Sequence, residues 1–273
     1  MPRPSPVTPP FLAALCGAAW LLLAGGLAAE APVGADWARE ARLAAEIEDT
    51  ILEGEPIYLE AGGQRFLGIH TTAGATAGAR QAVLILHGRG LHPDWPNIVH
   101  PLRTALPDDG WDSLAIQLPV LGKGAKYYDY VEIFPAALPR IDAALQYLRE
   151  QGAARIVIIA HSCGAHMAMH WVAERGDAAI DGFIGIGLGA TDYRQPMRQP
   201  FPLERMRGPV LDIYGGEDHA AVQRMAPQRL AALRSAGNAH SGQRVVAGAD
   251  HDFQGAGEVL LDEIRAWLTA LPP

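Results

Sequence analysis

The chain has 273 residues, a formal charge of −8 and no basic cluster. That balance excludes nucleic acid and an anionic membrane surface as partners. Its two cysteines are Cys16, inside an apolar leader, and Cys163, so once the leader is removed no intramolecular disulfide can form.

The first 29 residues read as a leader and not as fold. Met1–Pro10 carries Arg3 and several prolines, and the following run, FLAALCGAAWLLLAGGLAA, holds no charge. A positive start, an apolar core and small residues at Ala28 and Ala29 predict a cleaved signal peptide over 1–29 and a periplasmic or secreted product. The competing reading is an uncleaved anchor, since about 19 apolar residues can just span a bilayer. Gly25-Gly26 and the small residues after it favour cleavage. About 244 residues then remain with a charge near −9, enough for one domain with a large core and no stable membrane span.

Asp36–Leu52 has helix character, with Trp37, Leu43, Ile47 and Ile51 on one face. The runs 57–60 and 65–70 flank Ala61-Gly62-Gly63 and predict a β-hairpin. This helix and hairpin, within residues 30–79, are expected to pack on a main domain of residues 80–273. From Val83 onward strands alternate with helices. Strands are expected at 83–87, 113–117, 155–159, 182–186, 210–214 and 244–247, and helices at 97–107, 135–150, 165–175, 221–235 and 257–271. Such alternation gives an α/β fold, a mostly parallel sheet with helices on both faces. Ligands meet such sheets at the carboxyl ends of the strands, so the polar residues directly after each strand are the candidates.

Ala160-His161-Ser162-Cys163-Gly164 stands between the apolar strand 155–159 and a helix. Small residues around a serine at such a corner form a nucleophile elbow, with Ala160 where a first glycine is usual. Two later strand ends carry Gly215-Gly216-Glu217-Asp218-His219 and Gly248-Ala249-Asp250-His251-Asp252. A serine hydroxyl is a weak nucleophile at its own pKa, so His251 is assigned to take the Ser162 proton. Asp218 is assigned to hold that imidazole in the right tautomer, with Glu217 and Asp212 as competing acids. The Gly-rich loop His87-Gly88-Arg89-Gly90 follows the first strand of the alternating set. The backbone N–H of Arg89, or of Gly88 or Gly90, is the first candidate oxyanion donor, and that of Cys163 the second.

On these residues the chain resembles the α/β-hydrolase superfamily over about residues 80–271. It is similar, more closely, to an exported bacterial hydrolase-like family of unassigned activity. That resemblance rests on Gly54-Glu55-Pro56, the stretch from Gly62 to Leu67, the stretch from His87 to Pro96 and the stretch from Gly110-Trp111 to Leu118-Pro119. The closer family supplies fold and site but no substrate; the superfamily resemblance implies an α/β-hydrolase fold and a serine hydrolase working through an acyl-enzyme on Ser162, and a carboxylic ester, or a related small acyl substrate, is expected by analogy with the triads of that fold. The resemblance implies no cofactor and no metal. The alternative is a non-catalytic envelope protein that keeps the fold for binding.

Residues 118–134 form a long connection rich in tyrosine, and long connections are uncommon unless functional. Tyr127 and Tyr128, with Trp95, are expected to wall an apolar pocket. About 23 residues separate the strands at 182–186 and 210–214, so any cap is small or absent. His161, His166 and His170 hint at a metal-ligand spacing, but no glutamate accompanies them, and they read as packed or surface histidines. Gly185–Ala190 is glycine-rich without opening a helix, which argues against a dinucleotide loop. The Cys163 side chain is expected to be buried and inert.

Overall fold

The computed structural model describes residues 1–2, 34–74 and 79–272. The leader and Cys16 lie outside the described residues. The elements run α1 (Trp37–Glu48), β1 (Glu55–Ala61), β2 (Gln64–Thr71), β3 (Gln81–Leu86), α2 (Val99–Ala105), β4 (Trp111–Ile116), α3 (Tyr127–Val131) and α4 (Phe134–Glu150). They continue with β5 (Arg155–His161), α5 (Cys163–Arg175), β6 (Gly182–Ile186), β7 (Val210–Gly215), α6 (Ala220–Ala236), β8 (Gly242–Val246) and α7 (Gly257–Thr269).

The eight strands form one sheet in the order β1-β2-β4-β3-β5-β6-β7-β8. From β4 to β8 neighbouring strands run parallel. β4 and β7 are buried along their whole length and β3 at every residue but its first, as parallel strands covered on both faces must be. Alternation along each strand divides the core in two. Leu84, Leu86, Leu114 and Ile158 pack with Ile141 of α4 and Met167 and Trp171 of α5. Val83, Ile85, Val157 and Ile159 point the other way, onto Leu102 of α2 and Leu260 and Ile264 of α7. This is the α/β-hydrolase fold. The connection from β6 to β7 holds only a 3-10 turn, Leu203–Arg205.

The hairpin of β1 and β2 continues the main sheet. β2 pairs antiparallel with β4, from Gly68 opposite Ile116 to Thr71 opposite Ser113, and the described residues from 34 onward form one compact unit. A two-stranded ribbon is marginal alone. Here Phe66, Leu67 and Ile69 are buried because the sheet extends across them. The 118–134 connection is not all loop, since α3 forms within it, started by the Asp129 carboxylate accepting the Lys126 N–H at 2.7 Å.

Helix α1 begins where the Asp36 carboxylate accepts the Arg39 N–H at 2.9 Å. Its buried Glu40 meets the buried Arg140 of α4 at 2.7 Å and accepts the Val120 N–H at 3.1 Å. Arg140 also donates to the Gln117 carbonyl at 2.8 Å. Burial pushes the Glu40 carboxyl up while Arg140 pulls it back. The pair fastens α1 to α4 and to the chain that leaves β4. Among the described residues no helix is long and apolar enough to cross a membrane.

Removing one partner of a buried pair leaves the other charge uncompensated, which costs about 3–5 kcal/mol. Glu40→Ala is expected to lose that much in urea unfolding. The double variant Glu40→Ala, Arg140→Met is expected to recover most of it. A single variant as stable as wild type would show that the pair does not hold α1.

Candidate active site

Strand β5 delivers the chain to Ser162, which sits at φ 53°, ψ −117°. Its N–H is held by the Ile186 carbonyl of β6 at 2.9 Å. Left-handed backbone at a residue with a Cβ is strained by about 1–3 kcal/mol and persists only where the surroundings impose it. They do so here because α5 starts immediately. Gly164, in its first turn, is so close to β3 that an added Cβ would lie 2.3 Å from the His87 carbonyl oxygen. Ala160 is fully buried, so the first small position of the elbow accepts a methyl.

The His251 Nε2 lies 2.8 Å from Ser162 Oγ, and its Nδ1 lies 2.6 Å from Asp218 Oδ1. An ionised carboxylate only accepts, so Nδ1 carries the proton and Nε2 turns a lone pair toward the serine hydroxyl. The same Asp218 oxygen accepts the His219 N–H at 2.6 Å. Gly187 makes room for the ring, since a Cβ there would lie 2.8 Å from His251 Cε1. The competing acids are elsewhere. Asp212 is buried against Arg229 at 2.8 Å and Gln243 at 2.7 Å, and Glu217 is exposed.

Arg89 and Cys163 both line the cleft beside Ser162. Among the described residues neither backbone N–H has an internal partner. The His87 ring explains the aim of the first. Its Nε2 accepts the Leu118 N–H at 2.9 Å, which puts the ring proton on Nδ1, and Nδ1 donates to the Gly88 carbonyl at 2.8 Å. In a trans peptide the N–H points opposite to the C=O, so the Arg89 N–H faces away from the His87 ring. Burial pushes the Cys163 thiol up to about 12, so its side chain is no competing nucleophile.

The cleft encloses about 530 Å³, and Trp95 and Tyr127 stand in its wall. Tyr128 does not. Successive residues of a helix point about 100° apart, so the turn of α3 that aims Tyr127 inward aims Tyr128 out. The Tyr128 ring lies under the Arg198 guanidinium at 4.0 Å. Three further residues belong to the cleft. Asp192 pairs bidentately with Arg89, at 2.6 and 3.1 Å, and accepts the Tyr127 N–H at 2.5 Å. His219 stacks on His251 with ring centroids 4.1 Å apart; burial and the neighbouring His251 lower its pKa. His161 Nε2 lies 3.1 Å from the His251 carbonyl. His219 directly follows Asp218 and could have been read from that position. Nothing in the sequence around Asp192 marks it.

Among the described residues no group of three or more His, Cys, Asp or Glu could hold a metal ion. His166 is instead ringed by Tyr127, Phe134 and Phe201, with Nε2 at 2.9 Å from the Ala190 carbonyl.

A family model described as "Protein of unknown function (DUF3530)" matches residues 18–127 and 136–270. No curated protein matches the chain. Among solved structures, a protein of unknown function and putative α/β hydrolase from Agrobacterium tumefaciens is 20% identical, with a TM-score of 0.59 over 80% of this chain and 99% of that one. An α/β serine hydrolase without lid from Xanthomonas campestris is 15% identical, with a TM-score of 0.61 over 81% and 97%. An esterase from Pyrococcus furiosus is 17% identical, with a TM-score of 0.62 over 82% and 95%. These likenesses establish the fold.

Burial lowers His87 to about 3 and His166 to about 4, against 6.5 for the free side chain. Below pH 6.5 the unfolded chain binds protons that the folded chain refuses. Stability is therefore complete above that pH and falls as pH drops toward 4, by about 1.4 kcal/mol per pH unit for each such histidine. Urea unfolding at pH 7, 6 and 5 is expected to show this slope, and His166→Gln to reduce it by one proton. A flat profile would contradict burial of these rings in the neutral form.

Proposed function

The chain belongs to the DUF3530 family of proteins of unknown function, and from its α/β-hydrolase fold and the contact of Ser162, His251 and Asp218 we propose that it is a serine hydrolase acting on a carboxylic ester. The observation that carries the reading is the hydrogen-bonded relay itself, 2.8 Å from Ser162 Oγ to His251 Nε2 and 2.6 Å from His251 Nδ1 to Asp218, set beside a serine held at positive φ.

In the first step Ser162 Oγ bonds to the substrate carbonyl carbon while its proton moves to His251 Nε2. Asp218 keeps the ring oriented and stabilises the imidazolium. The carbonyl oxygen becomes an oxyanion that accepts hydrogen bonds from the N–H groups of Arg89 and Cys163. The C–O bond to the leaving alcohol then breaks, and the alcohol takes the proton from His251. In the second step water, deprotonated by His251, attacks the acyl-Ser162 ester, the acid departs and the serine regains its proton. A thioester or amide would use the same groups. No cofactor takes part in this scheme. Among the described residues the β6–β7 connection carries no helical cap over the cleft, which suits a substrate presented from solvent. The charge-free run at 11–29 supports export through a signal peptide to the periplasm.

A fluorophosphonate probe tests the reading together with turnover of short-chain nitrophenyl esters. Wild type is expected to be labelled once, at Ser162, and Ser162→Ala not at all. Asp218→Asn is expected to lose about 10⁴-fold in kcat, because the wrong histidine tautomer then faces the serine. Folded protein that neither takes the probe nor turns over any ester would leave the binding-protein alternative standing.

A further inference from the structure

Helix α1 lies outside the alternating strands and helices, yet its side chains reach the loop that carries the first oxyanion donor. Gly88–Leu91 is a tight turn, with the Leu91 N–H on the Gly88 carbonyl at 3.3 Å and Gly90 at φ 70°. This is the position where such a turn requires a left-handed residue. Two carbonyls bracket the Arg89–Gly90 segment, and each is held from behind. His87 holds that of Gly88, as described. Arg39 of α1 holds that of Gly90, its Nη2 donating at 2.9 Å. The other arm of the same guanidinium donates to the Leu121 carbonyl. Leu121 in turn gives its N–H to the Tyr130 hydroxyl at 3.0 Å.

The base from which Arg39 reaches is fixed. The Asp36 side chain caps the helix one turn earlier, its own N–H bonds the Val120 carbonyl at 2.7 Å, and Glu40 next to Arg39 carries the buried pair with Arg140. A guanidinium is planar, so bonds to two carbonyls on different segments set their separation. The loop is short, and a shift of about 1 Å in a positioned donor is enough to cost about 10²-fold in rate.

We propose that α1 is a positioning element for the oxyanion loop, and that Arg39, by clamping the carbonyls of Gly90 and Leu121, keeps the Arg89 N–H aimed at the developing oxyanion. The inference rests on the hydrolase reading of Ser162. Arg39 touches no reacting atom and acts only through the loop, so its loss lowers kcat and leaves ground-state binding nearly intact.

The test compares wild type, Arg39→Ala, Arg39→Lys and, as a control on the exposed side of the same helix, Arg42→Ala. With a nitrophenyl ester, Arg39→Ala is expected to lose about 10- to 100-fold in kcat with KM changed less than threefold, a fraction of what removal of a donor costs. Arg39→Lys, which can hold one carbonyl, falls between, and Arg42→Ala matches wild type. Affinity for a boronic acid, which mimics the tetrahedral adduct, falls in step with kcat/KM. Amide exchange in a peptide spanning 86–92 speeds up in Arg39→Ala, and this readout needs no turnover. An inactive, unlabelled wild type would overturn the hydrolase reading, while the exchange would still report whether Arg39 holds the loop. Kcat within twofold of wild type in a folded Arg39→Ala, a loss confined to KM, or unchanged exchange would each overturn the proposal. If Arg39→Ala does not fold, a folded Arg39→Lys with wild-type kcat and exchange overturns it equally.

Discussion

The backbone of α5 meets the end of β3 with no room for a side chain between them. Only hydrogen fits on the Gly164 Cα, because the His87 carbonyl oxygen occupies the place of a Cβ. That contact fixes how steeply the chain must turn out of β5, and so forces Ser162 into the left-handed region. It also sets the two candidate oxyanion donors beside each other, since Cys163 starts the helix and Arg89 lies just beyond the strand it touches. The strain at Ser162 is local, and the buried sheet on either side supplies the rigidity that maintains it.

Around that contact the polar groups are neutralised one by one. His87 is kept uncharged by burial and uses both ring nitrogens on backbone groups. The Arg89 guanidinium is matched by Asp192, so the charge beside the serine is paired within the protein. Asp212, within the strand that leads to Asp218, is balanced by Arg229. The carboxylate left free to orient His251 is Asp218. Of these two buried aspartates, one faces the Arg229 guanidinium and the other the His251 ring.

Much of this was legible in the sequence. Continuous apolar runs such as Ile156–Ile159 specify buried parallel strands, and the residues just past β5 and β7 were readable because the sheet puts strand ends at one rim. The residues that escaped act across the topology. The hairpin reads the same whether it stands alone or extends a sheet; only pairing with β4, remote in sequence, decides it. Tyr127 and Tyr128 are equivalent in composition, and the phase of a five-residue helix separates them. Asp192 and Arg39 have no motif, because each works through a backbone or charge partner at least 51 positions away. Strand-end chemistry leaves a pattern along the chain, whereas side chains that brace a loop from another element leave none.

The sheet has two open margins, and β1 forms one of them. Its sequence, EPIYLEA, places Pro56 and two glutamates on a strand whose outer face is largely exposed. Proline cannot donate a ladder hydrogen bond, and carboxylates disfavour a closely apposed strand. At the other margin β8 is five residues long and carries Arg244. The residues that complete the fold at its borders therefore also discourage runaway strand-on-strand growth, a safeguard for a chain whose central strands carry apolar runs such as Val83–Leu86 and Ile156–Ile159.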